Sequence, residues 1–236
     1  MGSLCGPLHP KEAATGHREI HSSNCHFNLL DQSRWCKSMK YIPEASQKLR
    51  ALAANALAEI NQSRPPPLMP LTLQLLESKA IEIALLNTLI KISCMNMQDR
   101  HYDIYTEETA KDNIIHRHSY ILLASRLSAE DDNTTPSDRV LGFLAFRPIL
   151  ENGKRQLYIW ELQIDARYQR KGLGQMLIWS LIDLGKNVMS PEKFSLCLTC
   201  SKRNEAGYIA YTKLGFALNG DSEDEDPFWI LELQVE

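Results

Sequence analysis

Gln169-Arg170-Lys171-Gly172-Leu173-Gly174 is the stretch of this chain best suited to holding a ligand. Two glycines two apart let the backbone come close to a bound group and turn its N–H groups to one side. A helix is expected directly after them, so its positive end adds to the charges of Arg170 and Lys171. The combination reads as a pyrophosphate cradle. It is not a Walker A loop, which ends in Gly-Lys-Ser/Thr, because Gln175 and Met176 follow Gly174. Nor is it a dinucleotide fingerprint, whose third glycine is replaced here by Leu177. A few residues upstream, Glu161 lies in a strand-like run. Simple alternation there puts Trp160, Leu162 and Ile164 on one face and Ile159, Glu161 and Gln163 on the other. A strand glutamate is ordinarily just solvated. Beside a cradle it becomes a candidate general base.

Elements must hold these groups in place. Residues 1–40 show no periodicity, and a disordered tail is expected there. Residues 41–70 read as an Ala- and Leu-rich helix (44–60) followed by a stiff linker through Pro65, Pro66, Pro67 and Pro70. Residues 71–236 read as the working domain. Strands are expected at 71–75, 119–125, 139–147, 156–164, 194–199 and 228–235, and helices at 81–97, 172–186 and 205–214. Asn152-Gly153 should turn the third strand into the fourth as a hairpin. That order predicts an α/β (α+β) fold, a mixed and mostly antiparallel central sheet flanked by helices, with an extra N-terminal helix.

Composition narrows the function classes. The 236 residues are 44% hydrophobic and 23% charged with a net charge of −3, which excludes a collagenous, coiled-coil or wholly disordered chain. A mildly acidic chain has no general basic field, so direct nucleic-acid binding is not expected. The longest apolar run is 120–124, too short to span a bilayer, and no apolar leader follows Met1. A soluble, intracellular protein is expected. Cys197 and Cys200 form one CxxC on an alternating strand, and structural zinc wants four ligands, so they read as buried strand thiols. His9, His17, His21 and His26 lack ligand spacing, and no metal site is expected.

Gln-x-x-Gly-x-Gly opening a helix resembles the coenzyme A loop of the GNAT superfamily of N-acetyltransferases. Asn204, followed by Tyr208, Tyr211 and Leu214-Gly215-Phe216, resembles that superfamily's later helix signature. Their order and separation of roughly 30 residues make the pair specific. A narrower resemblance lies in residues 157–164, Leu-Tyr-Ile-Trp-Glu-Leu-Gln-Ile, together with Asn96-Met97-Gln98 and Leu198-Thr199. These resemble NatD-type N-terminal acetyltransferases, which acetylate the α-amino group of histones that begin with Ser. Where that family has a tryptophan-rich stretch, this chain has Tyr102 and Tyr105. Where it has an acidic residue on the hairpin, this chain has Ile149, with Glu151 two residues on.

The resemblance implies roles. Acetyl-CoA is the cosubstrate, and Glu161 and Tyr211 are the catalytic pair, base and acid. Cofactor contacts fall on Leu162, Gln163 and Ile164, whose backbone N–H groups would hold pantetheine and polarise the thioester carbonyl. Further contacts fall on Gln169, Arg170, Lys171, Gly172, Leu173, Gly174 and Gln175, and on Thr199 and Asn204. Tyr102, Tyr158, Trp160 and either Phe228 or its neighbour Trp229 would meet the peptide. For Tyr211 a core aromatic is an equal reading, and for the acidic run 221–226 an ordinary solvated loop is as good as a magnet for a basic tail. The implied partners are protein N-termini, histones 2A and 4 first, handled by a monomer in cytoplasm and nucleus. Acetylation of lysine or a small amine, or a silent domain that only binds acyl-CoA, are the competing functions.

Overall fold

The 120–124 apolar run becomes the centre of the sheet in the computed structural model, which describes residues 39–54, 71–98, 105–127, 136–220, 222 and 226–236. Strand β3 (Tyr120–Arg126) is buried on both faces, which is why its sequence does not alternate with polar residues. Tyr120, Leu122 and Ala124 enter the larger hydrophobic cluster, while Ile121 and Leu123 enter the smaller one on the other side.

Around it, β2 (Leu71–Glu77), β4 (Val140–Glu151), β5 (Lys154–Ile164), β6 (Phe194–Ser201), β7 (Ala217–Leu218) and β8 (Phe228–Val235) line up in the order β2-β3-β4-β5-β6-β8-β7. A two-residue strand, β1 (Lys40–Tyr41), pairs with the end of β4. Every pairing is antiparallel except β5 with β6. The mixed, mostly antiparallel sheet is as expected. Asn152 and Gly153 turn β4 into β5 with positive φ of 49° and 76°, the conformation that favours Asn-Gly.

Helices α1 (Pro43–Ala54) and α4 (Leu173–Met189) cover one face of the sheet, packing Leu49, Leu177, Leu181 and Val188 into the larger cluster. Helices α2 (Ile83–Met97) and α3 (Glu107–Ile114) cover the other through Leu89, Ile92 and Ile114. Helix α5 (Glu205–Lys213) lies beyond β6. Residues 55–60 of the expected first helix and the Pro-rich linker lie outside the described residues, as do residues 1–38.

The sequence reading leaves α3 out. Its start is nonetheless written in Thr106, whose side chain accepts the Thr109 N–H at 3.1 Å, and in Glu107 and Glu108 at the positive end of the helix. Eight residues are too few for a periodic pattern to stand out.

Candidate active site

A β-bulge decides which way the candidate base points. The β4–β5 register shifts between Ala145 and Phe146, which pair with Glu161 and Ile159, leaving Trp160 as the extra residue. Ile159 therefore joins the cluster that Leu162 and Ile164 pack against. Glu161 and Gln163 are on the opposite face, and the Trp160 ring lies under the Arg147 guanidinium, 4.0 Å from its carbon to the ring centre. This corrects the alternation expected above, which put Ile159 with Glu161. A bulge breaks the period of two, and nothing in the residue types marks it.

The same level of the sheet is where β5 and β6 part. They pair from Gln156↔Ser195 to Ile159↔Leu198 and no further. Beyond that, β5 stays with β4 as far as Ile164 and β6 stays with β8 as far as Ser201. Between the diverging strands lies a cleft of about 920 Å³. Leu162, Gln163 and Ile164 line one wall, Leu198, Thr199, Cys200 and Ser201 the other. Two separating parallel strands leave backbone groups without a strand partner, which is what a ligand with amide groups can use.

At the end of the cleft the loop enters α4. Arg170 and Gly172 have positive φ, 60° and 81°, so the chain coils tightly before the helix. The first intrahelical bond is from Met176 N to Gly172 O, and no side chain caps the helix. The N–H groups of Leu173, Gly174 and Gln175, all at the cleft, are thus open to an anion. A Cβ on Gly174 would come no nearer than 4.0 Å to Ile164, and one on Gly172 would meet nothing within 4 Å. The space in front of both is open. These are the features a pyrophosphate needs.

Other cradle residues divide their work. Gln169 holds the loop: its Nε2 donates to Ile164 O at 3.0 Å and to Asn96 Oδ1 at 2.9 Å. Lys171 Nζ donates to Arg167 O, and the residue does not border the cleft. Asn204 borders it, with Oδ1 accepting the Gly207 N–H as the cap of α5.

Glu161 stands beside the fork, 4% exposed. Its Oε1 accepts from the Tyr105 hydroxyl and from Asn113 Nδ2 at 2.7 Å, and its Oε2 accepts from Gln163 Nε2 at 2.7 Å. Burial pushes its carboxyl above the ordinary glutamate range, while the three donors pull the other way and only moderate the rise. Oε1 has both lone pairs engaged. Oε2 keeps one for an incoming proton.

Tyr211 borders the same cleft, its ring against Phe216 at 5.7 Å between centres. Burial, then the nearby Cys200 and Glu161, raise its hydroxyl above the usual tyrosine range, so it holds its proton at neutral pH. Cys200, on the opposing strand, is pushed up to about 12 by burial, which makes it an inert thiol.

The candidate peptide residues are brought together except for one. Tyr158 hydrogen-bonds Thr199 Oγ1 at 2.5 Å just where the strands part, with its ring 5.1 Å from that of Trp160. Phe228 borders the cleft, whereas Trp229 packs on Tyr208. Tyr102 lies outside the described residues. Tyr105 and Asn113 are the residues the sequence reading did not single out as site residues. Among the described residues no cluster of His, Cys, Asp or Glu could hold a metal ion.

A fork between parallel strands, ending on an uncapped helix with a buried carboxylate and a tyrosine alongside, is an arrangement suited to acyl transfer from a donor that carries a pyrophosphate. Residues 87–216, more than half of the chain, match the Acetyltransferase (GNAT) family, and the chain belongs to that family, which takes its acetyl group from acetyl-CoA. Solved structures of similar architecture include a GNAT-family protein from Desulfovibrio desulfuricans, at 13% identity and TM-score 0.50, covering 70% of this chain and 99% of that one. NAA60 of Arabidopsis thaliana in complex with acetyl-CoA is 13% identical with TM-score 0.49, covering 70% and 98%. The Escherichia coli ribosomal-protein-S18-alanine N-acetyltransferase is 21% identical with TM-score 0.44, covering 70% and 94%.

Proposed function

We propose that this acetyltransferase modifies the α-amino group of a protein N-terminus, with the Ser-starting tails of histones 2A and 4 as first candidates, and works as a monomer in cytoplasm and nucleus. The observation that carries the reading is Glu161, a buried carboxylate beside the fork whose ionised form is steadied by three donors. Such a group is only a moderate base. An α-amine, with a pKa of ~8, costs about 1.4 kcal/mol to deprotonate at pH 7, whereas lysine at ~10.4 costs about 4.6 kcal/mol. The α-amine asks less of this carboxylate. The likeness of residues 157–164 to NatD-type enzymes points the same way.

In this reading acetyl-CoA supplies an acyl carbon that an amine can attack. The open N–H groups at the start of α4 hold the pyrophosphate, and backbone groups at Leu162 to Ile164 align the chain that carries the thioester. Glu161 Oε2, directly or through one water, takes the ammonium proton, and the lone pair of the neutral amine then bonds to the acyl carbon. Tyr211 gives its proton to sulfur as the carbon–sulfur bond breaks, and the second proton that nitrogen sheds as the amide forms returns to Tyr211 through solvent.

The test is a panel of peptides differing in their first four residues, each with an N-terminally blocked, lysine-containing control. Acetylation of the free-terminus Ser peptides alone supports the proposal. Equal modification of the blocked peptides would overturn it and leave lysine as the acceptor.

A further inference from the structure

We infer that Asn113 is the positioning residue of the proposed base, its side-chain amide fixing Glu161 Oε1 while its backbone carbonyl is held by Arg147. The inference rests on Glu161 being the base of the proposed reaction. Three observations carry it. Asn113 is 8% exposed, and its Nδ2 lies 2.7 Å from Oε1, the short distance of a hydrogen bond to an ionised acceptor. The backbone that bears it is pinned. Arg147 Nη2 donates to the Asp112 and Asn113 carbonyls, both at 3.2 Å, and Arg147 Nε donates to Ser119 Oγ at 2.7 Å. A cation at the last carbonyls of α3 suits the negative end of a helix, and Thr106 caps the other end. Finally, the donors differ in kind. Gln163 is two residues from Glu161 on the same strand and moves with it, whereas Asn113, like Tyr105, reaches in from outside the strand, and its pinned backbone fixes the carboxylate relative to the rest of the fold.

The groups that face Glu161 bound what its proton affinity can report. Tyr105 precedes α3, Cys94 is on α2 and Tyr211 on α5, each within range of its charge. Arg147, on β4, is joined to it through Asn113. Removing the Asn113 donor leaves all of these in place, so a change in Glu161 titration reports on the amide itself.

The experiment is a ¹³C NMR titration of the full chain labelled at glutamate carboxyl carbons, with Glu161→Gln identifying the resonance. Asn113→Ala should raise the apparent pKa of Glu161 by about one unit, the size of a lost hydrogen bond to a charged acceptor. Asn113→Asp keeps the volume but sets a second carboxylate against the first, and should raise it further. Turnover of an accepted amine by Asn113→Ala should fall ~10-fold with acetyl-CoA affinity within twofold. A titration unmoved in both variants overturns the positioning role, whatever their thermal stability. A wild-type enzyme that acetylates no peptide N-terminus, with the titration still shifting, overturns the substrate reading and leaves the positioning role standing.

Discussion

Glu161→Gln keeps size and hydrogen bonding and removes the base. Turnover should fall ~10²–10⁴-fold with acetyl-CoA affinity nearly unchanged, and the defect should shrink above pH ~8, where more of an α-amine is already neutral. Steady-state kinetics across pH with calorimetric acetyl-CoA binding checks both; a variant as active as wild type would place the base elsewhere. Gly174→Val tests the other end of the cleft. Beyond its chain neighbours and its own helix backbone, an added Cβ would meet only Ile164 Cγ1, at 4.0 Å, so the fold should survive while the branched side chain fills the space the pyrophosphate needs. Circular dichroism should be unchanged and acetyl-CoA binding lost. At this scale the glycine loop and the helix it opens were legible from residue type and spacing alone, as was the presence of a carboxylate near them. Of that carboxylate's partners only Gln163, two residues along the same strand face, was within reach of a local pattern. Tyr105 and Asn113 meet it from 56 and 48 residues away, a convergence that no local pattern encodes.

Among elements, the short β1 shows how a small contact acquires a pH dependence. Tyr41 stacks on His118 at 3.8 Å and hydrogen-bonds His116 Nε2 at 3.3 Å, while His116 Nδ1 accepts the His118 N–H. Burial, then Arg147, His118 and Arg117, push His116 down to about 4. His118 is pushed down as well. A histidine with a lowered folded pKa contributes stability that is complete above its unfolded pKa of ~6.5 and is lost as pH falls toward about 4, because the unfolded chain takes up the proton first. Glu161, with its raised pKa, acts in the opposite sense, losing stability as pH rises. The comparison must therefore be made by difference. Urea unfolding at pH 7.5, 5.5 and 4.5 should show wild type losing more stability on acidification than His116→Gln. Parallel losses would remove His116 from the account. The long elements were all readable, since helices such as α4 carry apolar residues at a full helical period and the strands are rich in branched and aromatic residues. The short ones, β1, β7 and α3, were not.

For the whole molecule, the cleft is bordered, among the described residues, by residues between Asn96 and Phe228, drawn from both halves of the sheet. Residues 1–38 carry neither a periodic pattern nor a motif suited to the chemistry, so deleting them should leave turnover of the purified protein unchanged within about twofold. A truncated protein that stays folded but loses its activity would bring that segment into the chemistry.

Two kinds of information separate cleanly in this chain. Local physics, acting within a few residues, was complete in the sequence. It covers the glycine loop before a helix, the Asn-Gly hairpin, the apolar periods of the main elements and the mixed order of strands and helices. Whatever depends on contacts between distant residues was decided only by tertiary structure. The bulge at Trp160 turned Glu161 and Gln163 away from Ile159, the parting of β5 from β6 opened the cleft, and the packing of α3 under Arg147 delivered Asn113 to the carboxylate. Register and divergence are settled by the summed packing of whole faces against each other, and that sum is not a property of any short stretch of residues.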